Sequence, residues 1–259
     1  MSNYIKKVEI GQCVLYLGNC YDVIKEIPNN YVTLIHTDPP YLIHSDTNVG
    51  KFMTSRGVKS QQSKLIDADI SNSFDYKIFK EFERVCKCPN YQMWCSKKQF
   101  IDYLIFAKES NYNWQDVMLY RNNALPNVRG KYQDKDYLVH MWKGRTLTGT
   151  YHQKVTDYHW NIGGKKEYDH PALKPVEPIC NLVEIGSDIG DVVLDPFMGS
   201  GTTAEACIKT SRKFIGIEIN EEYFNVAVNR VRKLLDSDTA QYRDTNSVGV
   251  LEKVNLLDG

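Results

Sequence analysis

The sequence predicts an α/β fold, a mostly parallel twisted sheet with helices on both faces. Three observations predict it. Strand-like and helix-like segments alternate along most of the 259 residues, the pattern of a parallel sheet wrapped by crossover helices. Several strands, VTLIHT at 32–37 above all, are nearly continuous apolar runs, as expected where both faces are buried. Two such strands stop abruptly in distinctive residues, Asp38-Pro39-Pro40-Tyr41 and Asp195-Pro196-Phe197-Met198-Gly199-Ser200-Gly201.

Taken in order, CVLYLGN (13–19) reads as a strand and YDVIKEIPNN (21–30) as a helix closed by Pro28 and two asparagines. The strand 32–37 must stop at Pro39-Pro40, since consecutive prolines cannot continue a central strand. Residues 43–75 are polar and too long for a simple connector. Then follow a helix over 76–87, a strand over 91–96, a helix over 98–110, and strands over 114–120 and 136–143. Residues 145–170 show no period. Regular structure resumes with a helix over 175–187, a buried strand over 191–197 and a helix over 201–211. A strand over 213–219 and an amphipathic helix over 220–235 complete the pattern. One domain over 1–235 is expected, with a tail at 236–259 that the pattern does not assign.

Composition narrows the function classes. Hydrophobic residues at 42% and charged residues at 25% are those of a globular chain, not a disordered one. No apolar run reaches membrane-spanning length, and MSNYIKKVEIGQ lacks the apolar core of a secretory signal, so a cytoplasmic location without membrane association is expected. The 32 basic and 32 acidic residues cancel, which says nothing against nucleic acid, because phosphate contact needs only a local patch. The seven cysteines form no CxxC pair. They are expected to be reduced thiols and no metal site is expected.

Leu194–Ala204, LDPFMGSGTTA, runs a buried strand into a glycine turn that opens a helix. Gly199 and Gly201 let backbone approach a ligand, flanked by Phe197, Ser200, Thr202 and Thr203. The next strand ends in Glu218, followed by Asn220; an acid there is suited to ribose hydroxyls. Asp195 ahead of the turn is unsuited to a pyrophosphate and suits the α-ammonium of S-adenosylmethionine. A tight turn without ligand is the bland alternative.

Asp38-Pro39-Pro40-Tyr41 sits where open α/β sheets bind ligands. An exocyclic nucleobase amine is a poor nucleophile because its lone pair is delocalised into the ring. The Asp38 carboxylate and Pro39 carbonyl could accept its two hydrogens out of the base plane and free that lone pair. Proline rigidity pre-organises the carbonyl, and Tyr41 could stack on the base.

Together these blocks resemble the amino-methyltransferases that modify DNA, in the β class, whose motif order is circularly permuted so that DPPY precedes the cofactor block. The resemblance spans about residues 10–235. It implies a Rossmann-like S-adenosylmethionine-dependent methyltransferase fold. It also implies catalytic roles for Asp38, Pro39, Pro40 and Tyr41. LYLGNC (15–20) resembles the adenine-contacting block, placing Asn19 and Cys20 at the cofactor. DHPALKP (169–175) resembles the motif whose lysine, here Lys174, lines the methionine pocket. GIEINEEYFNVAVNR (216–230) matches the ribose-binding strand and helix. The family usually has Gly-Asp-Cys where this chain has Gly18-Asn19-Cys20, and Asn19 is also a favoured helix cap. Asp at the head of the tetrapeptide leans toward adenine N6; cytosine N4 is the rival. A silent cofactor-binding, DNA-binding module is the alternative of a different class.

Double-stranded DNA is the expected partner, with single strands as the variant, because a duplex hides the target amine unless the base is flipped. Lys51, Arg56 and Lys59 in the 43–75 loop are candidates to grip it. So are Arg129, Lys131, Lys154, His159 and Trp160 in a target-recognition region over about 121–170. A homodimer and a cognate restriction endonuclease are further partners the resemblance allows. The DNA site itself is not legible.

Overall fold

The structure, a computed structural model, describes residues 3–40, 75–121, 135–150, 153–160 and 175–236. Among them, nine strands form one sheet: β1 (Lys6–Ile10), β2 (Cys13–Leu17), β3 (Leu34–Thr37), β4 (Asn90–Cys95), β5 (Asn113–Arg121), β6 (Lys135–Trp142), β7 (Asp157–Trp160), β8 (Val192–Asp195) and β9 (Lys213–Glu218). The spatial order is β1-β2-β9-β8-β3-β4-β6-β5-β7. Strands β2, β9, β8, β3 and β4 are mutually parallel. Strand β6 runs antiparallel to both β4 and β5, which leaves β5 and its parallel neighbour β7 running the same way as β3.

Helices α1 (Cys20–Val23), α2 (Ile78–Val85) and α3 (Lys97–Glu109) cover one face of the sheet, where Val23, Phe79, Phe82, Tyr91 and Tyr103 are buried together. On the other face, α4 (Val176–Gly186), α5 (Thr202–Lys209) and α6 (221–236) pack Val183, Ala206, Phe224 and Val231 against Leu15, Leu34, Val193 and Phe214. Strand β3 has every residue buried, as its apolar run predicts.

Two expectations need correction, and one strand falls where the sequence pattern assigned no element. The helix expected over 21–30 is only α1 plus a 3-10 turn at Ile24–Glu26. Pro28 forces Ile27 into extended backbone, so the helical spacing has no room to continue. Residues 6–10 form an edge strand that pairs with β2 through a two-residue turn, although KKVEI is largely exposed and carries little apolar signal. The segment 145–170, read as lacking regular structure, contains β7, a polar and aromatic strand at the opposite edge.

The core beneath β3 holds a hydrogen-bonded polar chain. Trp94 Nε1 donates to His36 Nε2 (3.2 Å), which leaves the His36 proton on Nδ1 to donate to Gln92 Oε1 (2.8 Å). Gln92 Nε2 donates to the Leu182 carbonyl (2.7 Å) and lies 3.5 Å from His140 Nδ1. His140 Nε2 then donates to Asn90 Oδ1 (2.9 Å), and Asn90 Nδ2 donates to the carbonyls of Thr33 and Gly186. Both imidazoles are thereby assigned neutral tautomers, and the chain ties β3, β4, β6 and α4 together. Burial holds the His140 pKa down at about 3, with the charge of Arg145 adding to the effect.

Candidate functional site

Strand β3 connects onward to β4 on one side, whereas β8 connects to β9 on the other, so the chain diverges between β3 and β8. That divergence opens a crevice at the strand carboxyl ends, the usual ligand position in such sheets. Asp38 directly follows β3, and Asp195 ends β8. The two motifs singled out in the sequence therefore meet at adjacent strand ends.

Asp195 is 3% exposed and fully engaged. Its Oδ1 accepts from Thr37 Oγ1 (2.7 Å) and the Phe197 N–H (3.1 Å), and its Oδ2 accepts from Thr203 Oγ1 (2.6 Å). The β3–β8 ladder ends at Ile35↔Leu194, so the Thr37–Asp195 bond ties the strands beyond their last backbone pair. Burial pushes the Asp195 pKa up to about 7, against the pull of Thr203, Thr37 and the Phe197 N–H, with Asp38 adding a smaller upward push. Among the described residues no lysine or arginine pairs with it. Its carboxylate is met instead by these three hydrogen bonds.

The glycine turn is held from below. Gly199 and Gly201 both adopt positive φ, 53° and 83°, and a Cβ on Gly201 would lie 3.0 Å from the Ala227 side chain. Only glycine fits both the backbone and the space. Glu218 Oε2 accepts from the Gly199 N–H (2.9 Å), and its Oε1 accepts from the Asn220 N–H (2.8 Å). Burial raises the Glu218 pKa, opposed by these N–H groups. Arg230 of α6, 1% exposed, donates to the Ser200 carbonyl (3.1 Å) and Thr202 Oγ1 (2.9 Å) and faces Glu205 at 3.2 Å. Nothing local in the sequence marks Arg230 beyond its place on an amphipathic helix.

Several residues expected at a cofactor have structural duties here. Asn19 caps α1 through Oδ1 and the Tyr21 N–H (3.0 Å). Asn220 caps α6 in the same way through the Tyr223 N–H (3.1 Å). The Cys20 thiol is a buried core group with its pKa pushed up to about 12 by burial. Thr203 and Thr202 hold Asp195 and Arg230, respectively. Phe197 packs on the core while its N–H serves Asp195.

The strand order lines these groups up. The Gly18 N–H donates to the Glu218 carbonyl (2.9 Å), so the ends of β2 and β9 are neighbours. Across β2-β9-β8-β3 the carboxyl ends present Asn19, Glu218, Asp195 and Asp38 in that order. Three strand spacings separate the first from the last, about 14 Å.

The same edge of the sheet continues to β5 and β7. Tyr120 pairs in register with both Lys135 and His159. Its ring stacks on the exposed His159 imidazole (4.9 Å between centroids, 13° between planes), and Lys135 Nζ lies 4.8 Å from the ring centre. Lys154 is also exposed. The sequence singles out His159 as a candidate and does not single out Tyr120. Tyr41, Lys51, Arg56, Lys59, Arg129, Lys131, Lys174 and the Trp160 side chain lie outside the described residues.

Comparison with known proteins supplies the family. Residues 32–229 match the N6/N4 methyltransferase model, described as DNA methylase. The type II methyltransferase M.HinfI of Haemophilus influenzae is 27% identical over 247 residues, covering 84% of this chain and 67% of its own. The DNA adenine methyltransferase YhdJ of Escherichia coli K12 is 42% identical over 85 residues, 31% of this chain and 29% of its own. In fold, the crystal structure of the M1.HpyAVI–SAM complex superposes with a TM-score of 0.60 at 23% identity. It covers 84% of this chain and 98% of that one.

Proposed function

Because this chain belongs to the family of DNA methylases that modify N6 or N4 amino groups, we propose that it methylates the N6 amino group of adenine in DNA from S-adenosylmethionine. The observation that carries this reading is the order Asn19, Glu218, Asp195, Asp38 along adjacent strand ends. That order would suit the adenine, the ribose and the methionine half of one cofactor lying across the strand ends, with the target amine entering from the Asp38 side toward the sulfonium methyl. The residues fit the group. Asp195 is a buried carboxylate facing no described cation and would hold the ammonium. Glu218 accepts from the backbone N–H groups of Gly199, Asn220 and Ile219, and the four lone-pair sites of its carboxylate leave one for a ribose hydroxyl. Asn19 Oδ1 likewise keeps capacity for the adenine amine beside the Tyr21 N–H. Lys174 would line the methionine half. When bound, S-adenosylmethionine supplies an electrophilic methyl group on a sulfonium.

The remaining chemistry belongs to this chain. The target adenine must leave the duplex stack to reach the β3–β8 crevice. There the Asp38 carboxylate and the Pro39 carbonyl would accept its two N–H hydrogens and turn the nitrogen lone pair toward the methyl donor. Proline backbone moves little, so these acceptors need no reorganisation as the reaction proceeds. Asp38 can take the proton that the methylated amine sheds, or pass it to water. Tyr41 would stack on the flipped base.

DNA would be held along the same sheet edge. His159 on its Tyr120 platform and Lys154 would contact it from 121–170; Lys51, Arg56, Lys59, Arg129, Lys131 and Trp160 are proposed DNA contacts from the sequence alone. Residues 1–235 form the catalytic unit in this reading. A homodimer would let a second copy share the DNA.

Adenine is preferred over cytosine N4 on the identity of Asp38 and on the likeness to an adenine methyltransferase. Incubating the protein with tritiated-methyl cofactor and unmethylated genomic DNA, then resolving the digested nucleosides by mass, tests this. N6-methyladenine is expected. N4-methylcytosine would transfer the mechanism to the other amine, and label in no nucleoside would refute it.

A further inference from the structure

The Asp38-Pro39-Pro40 segment has an unusual anchoring problem. Neither proline carries an N–H, so carbonyl oxygens are the only backbone handles the two prolines offer, and a donor must come from elsewhere. One such donor is Gln99. Strand β4 lies parallel beside β3, with Thr37 opposite Met93, so α3, which follows β4, begins next to the proline turn. Gln99 is 0% exposed, and its Nε2 donates to the Pro40 carbonyl at 3.2 Å.

The other end of the same amide closes the N-terminal capping box of α3. Gln99 Oε1 accepts from the Ser96 N–H (3.1 Å) and from Ser96 Oγ (2.9 Å). Either Gln or Glu can fill this third helical position of a capping box. Glutamine alone, at neutral pH, serves the cap and still has an N–H left for Pro40. With φ of Pro40 fixed by its ring, holding its carbonyl fixes the remaining backbone freedom at that residue and leaves the preceding Pro39 carbonyl little latitude.

We propose that Gln99 is a positioning residue for methyl transfer, its amide clamping the Pro40 carbonyl so that Asp38 and Pro39 present their oxygens to the target amine. This rests on the amino-methylation reading above. It adds a residue 59 positions away from the motif it serves.

The test is Gln99→Glu beside Gln99→Met, assayed by tritiated methyl transfer to genomic DNA from pH 5.5 to 8.5, with melting temperature and cofactor affinity measured on the same samples. Glutamate keeps the cap, so Gln99→Glu melts like the wild type at pH 5.5, where its carboxyl is protonated, and somewhat lower at pH 8, where the buried charge is a cost, both far above the assay temperature. It binds S-adenosylmethionine equally well and loses roughly tenfold in kcat at pH 8. Its deficit shrinks as pH falls, because a protonated carboxyl again donates to Pro40. Burial raises that carboxyl's pKa into the assay range. Gln99→Met also loses activity, and its deficit relative to wild type does not change with pH. A Gln99→Glu enzyme as fast as wild type at pH 8, a deficit that ignores pH, or weakened cofactor binding in step with kcat would each overturn the proposal. A wild-type chain that labels no nucleoside would instead bring down the methylation reading itself, and this inference with it.

Discussion

Replacing Asp195 by asparagine should stabilise the protein while removing its cofactor site. The substitution is isosteric and the hydrogen bonds survive it. Asn Oδ1 can accept from Thr37 Oγ1 and the Phe197 N–H, and its Nδ2 can donate to Thr203 Oγ1, which take up the partners Asp195 now has. What disappears is the buried charge. The Asp195 pKa stands at about 7 instead of 3.8, so the native state binds a proton more tightly than the unfolded chain. That advantage is fully present below pH 3.8 and is lost as pH rises to about 7. At pH 8 the ionised native carboxylate costs on the order of 4 kcal/mol, an upper bound that relaxation of the interior reduces to roughly 2. Urea titrations without cofactor at pH 4.5 and pH 8 read this directly. Wild type and Asp195→Asn should be nearly equal at pH 4.5, and the variant should be about 2 kcal/mol more stable at pH 8. Adding S-adenosylmethionine at pH 8 should raise the wild-type midpoint by mass action and leave the variant unchanged. A variant less stable than wild type at pH 8 would refute the reasoning, since it would mean the carboxylate already has a cationic partner.

Arg230→Met should lower stability by roughly 1–2 kcal/mol, because it frees the Ser200 carbonyl and takes one of two cations from Glu205, which keeps Lys209 at 2.8 Å; urea titration measures the loss, and calorimetry should show weaker cofactor binding through the loosened glycine turn. His140 contributes in the opposite pH direction to Asp195. Its native pKa, about 3, lies below the ordinary 6.5, so its contribution is whole above pH 6.5 and is lost as pH falls toward 3, at up to about 1.4 kcal/mol per pH unit. His140→Gln should therefore lose less stability than wild type between pH 7 and pH 5, as read from paired urea midpoints.

The parts of this molecule legible in the sequence are those with strong local signals. Strands β3 and β8 are apolar runs that end in Asp-Pro, and the glycines and Glu218 mark the turn and the strand that flank the crevice. Strand β1 was illegible because KKVEI is exposed on an edge, and β7 because DYHW has neither alternation nor apolar length. The supporting contacts were illegible for a different reason. Thr37 reaches Asp195 across 158 residues, Gln99 reaches Pro40 across 59, and Arg230 reaches Ser200 across 30. Such pairings depend on strand order, which no local pattern encodes. Asn19 was legible both as a motif position and as a helix cap, and the cap is present; the capping bond of Asn220 appears only once α6 is seen to start at the next residue.

The central claim is that Asp38 carries the transfer while the neighbouring strand ends carry the cofactor. Cofactor affinity and single-turnover methyl transfer measured on one preparation of Asp38→Ala test it most directly. The account predicts wild-type affinity for S-adenosylmethionine with transfer to adenine reduced by about a thousandfold or more. Transfer near the wild-type rate, or cofactor affinity lost together with transfer, would contradict it.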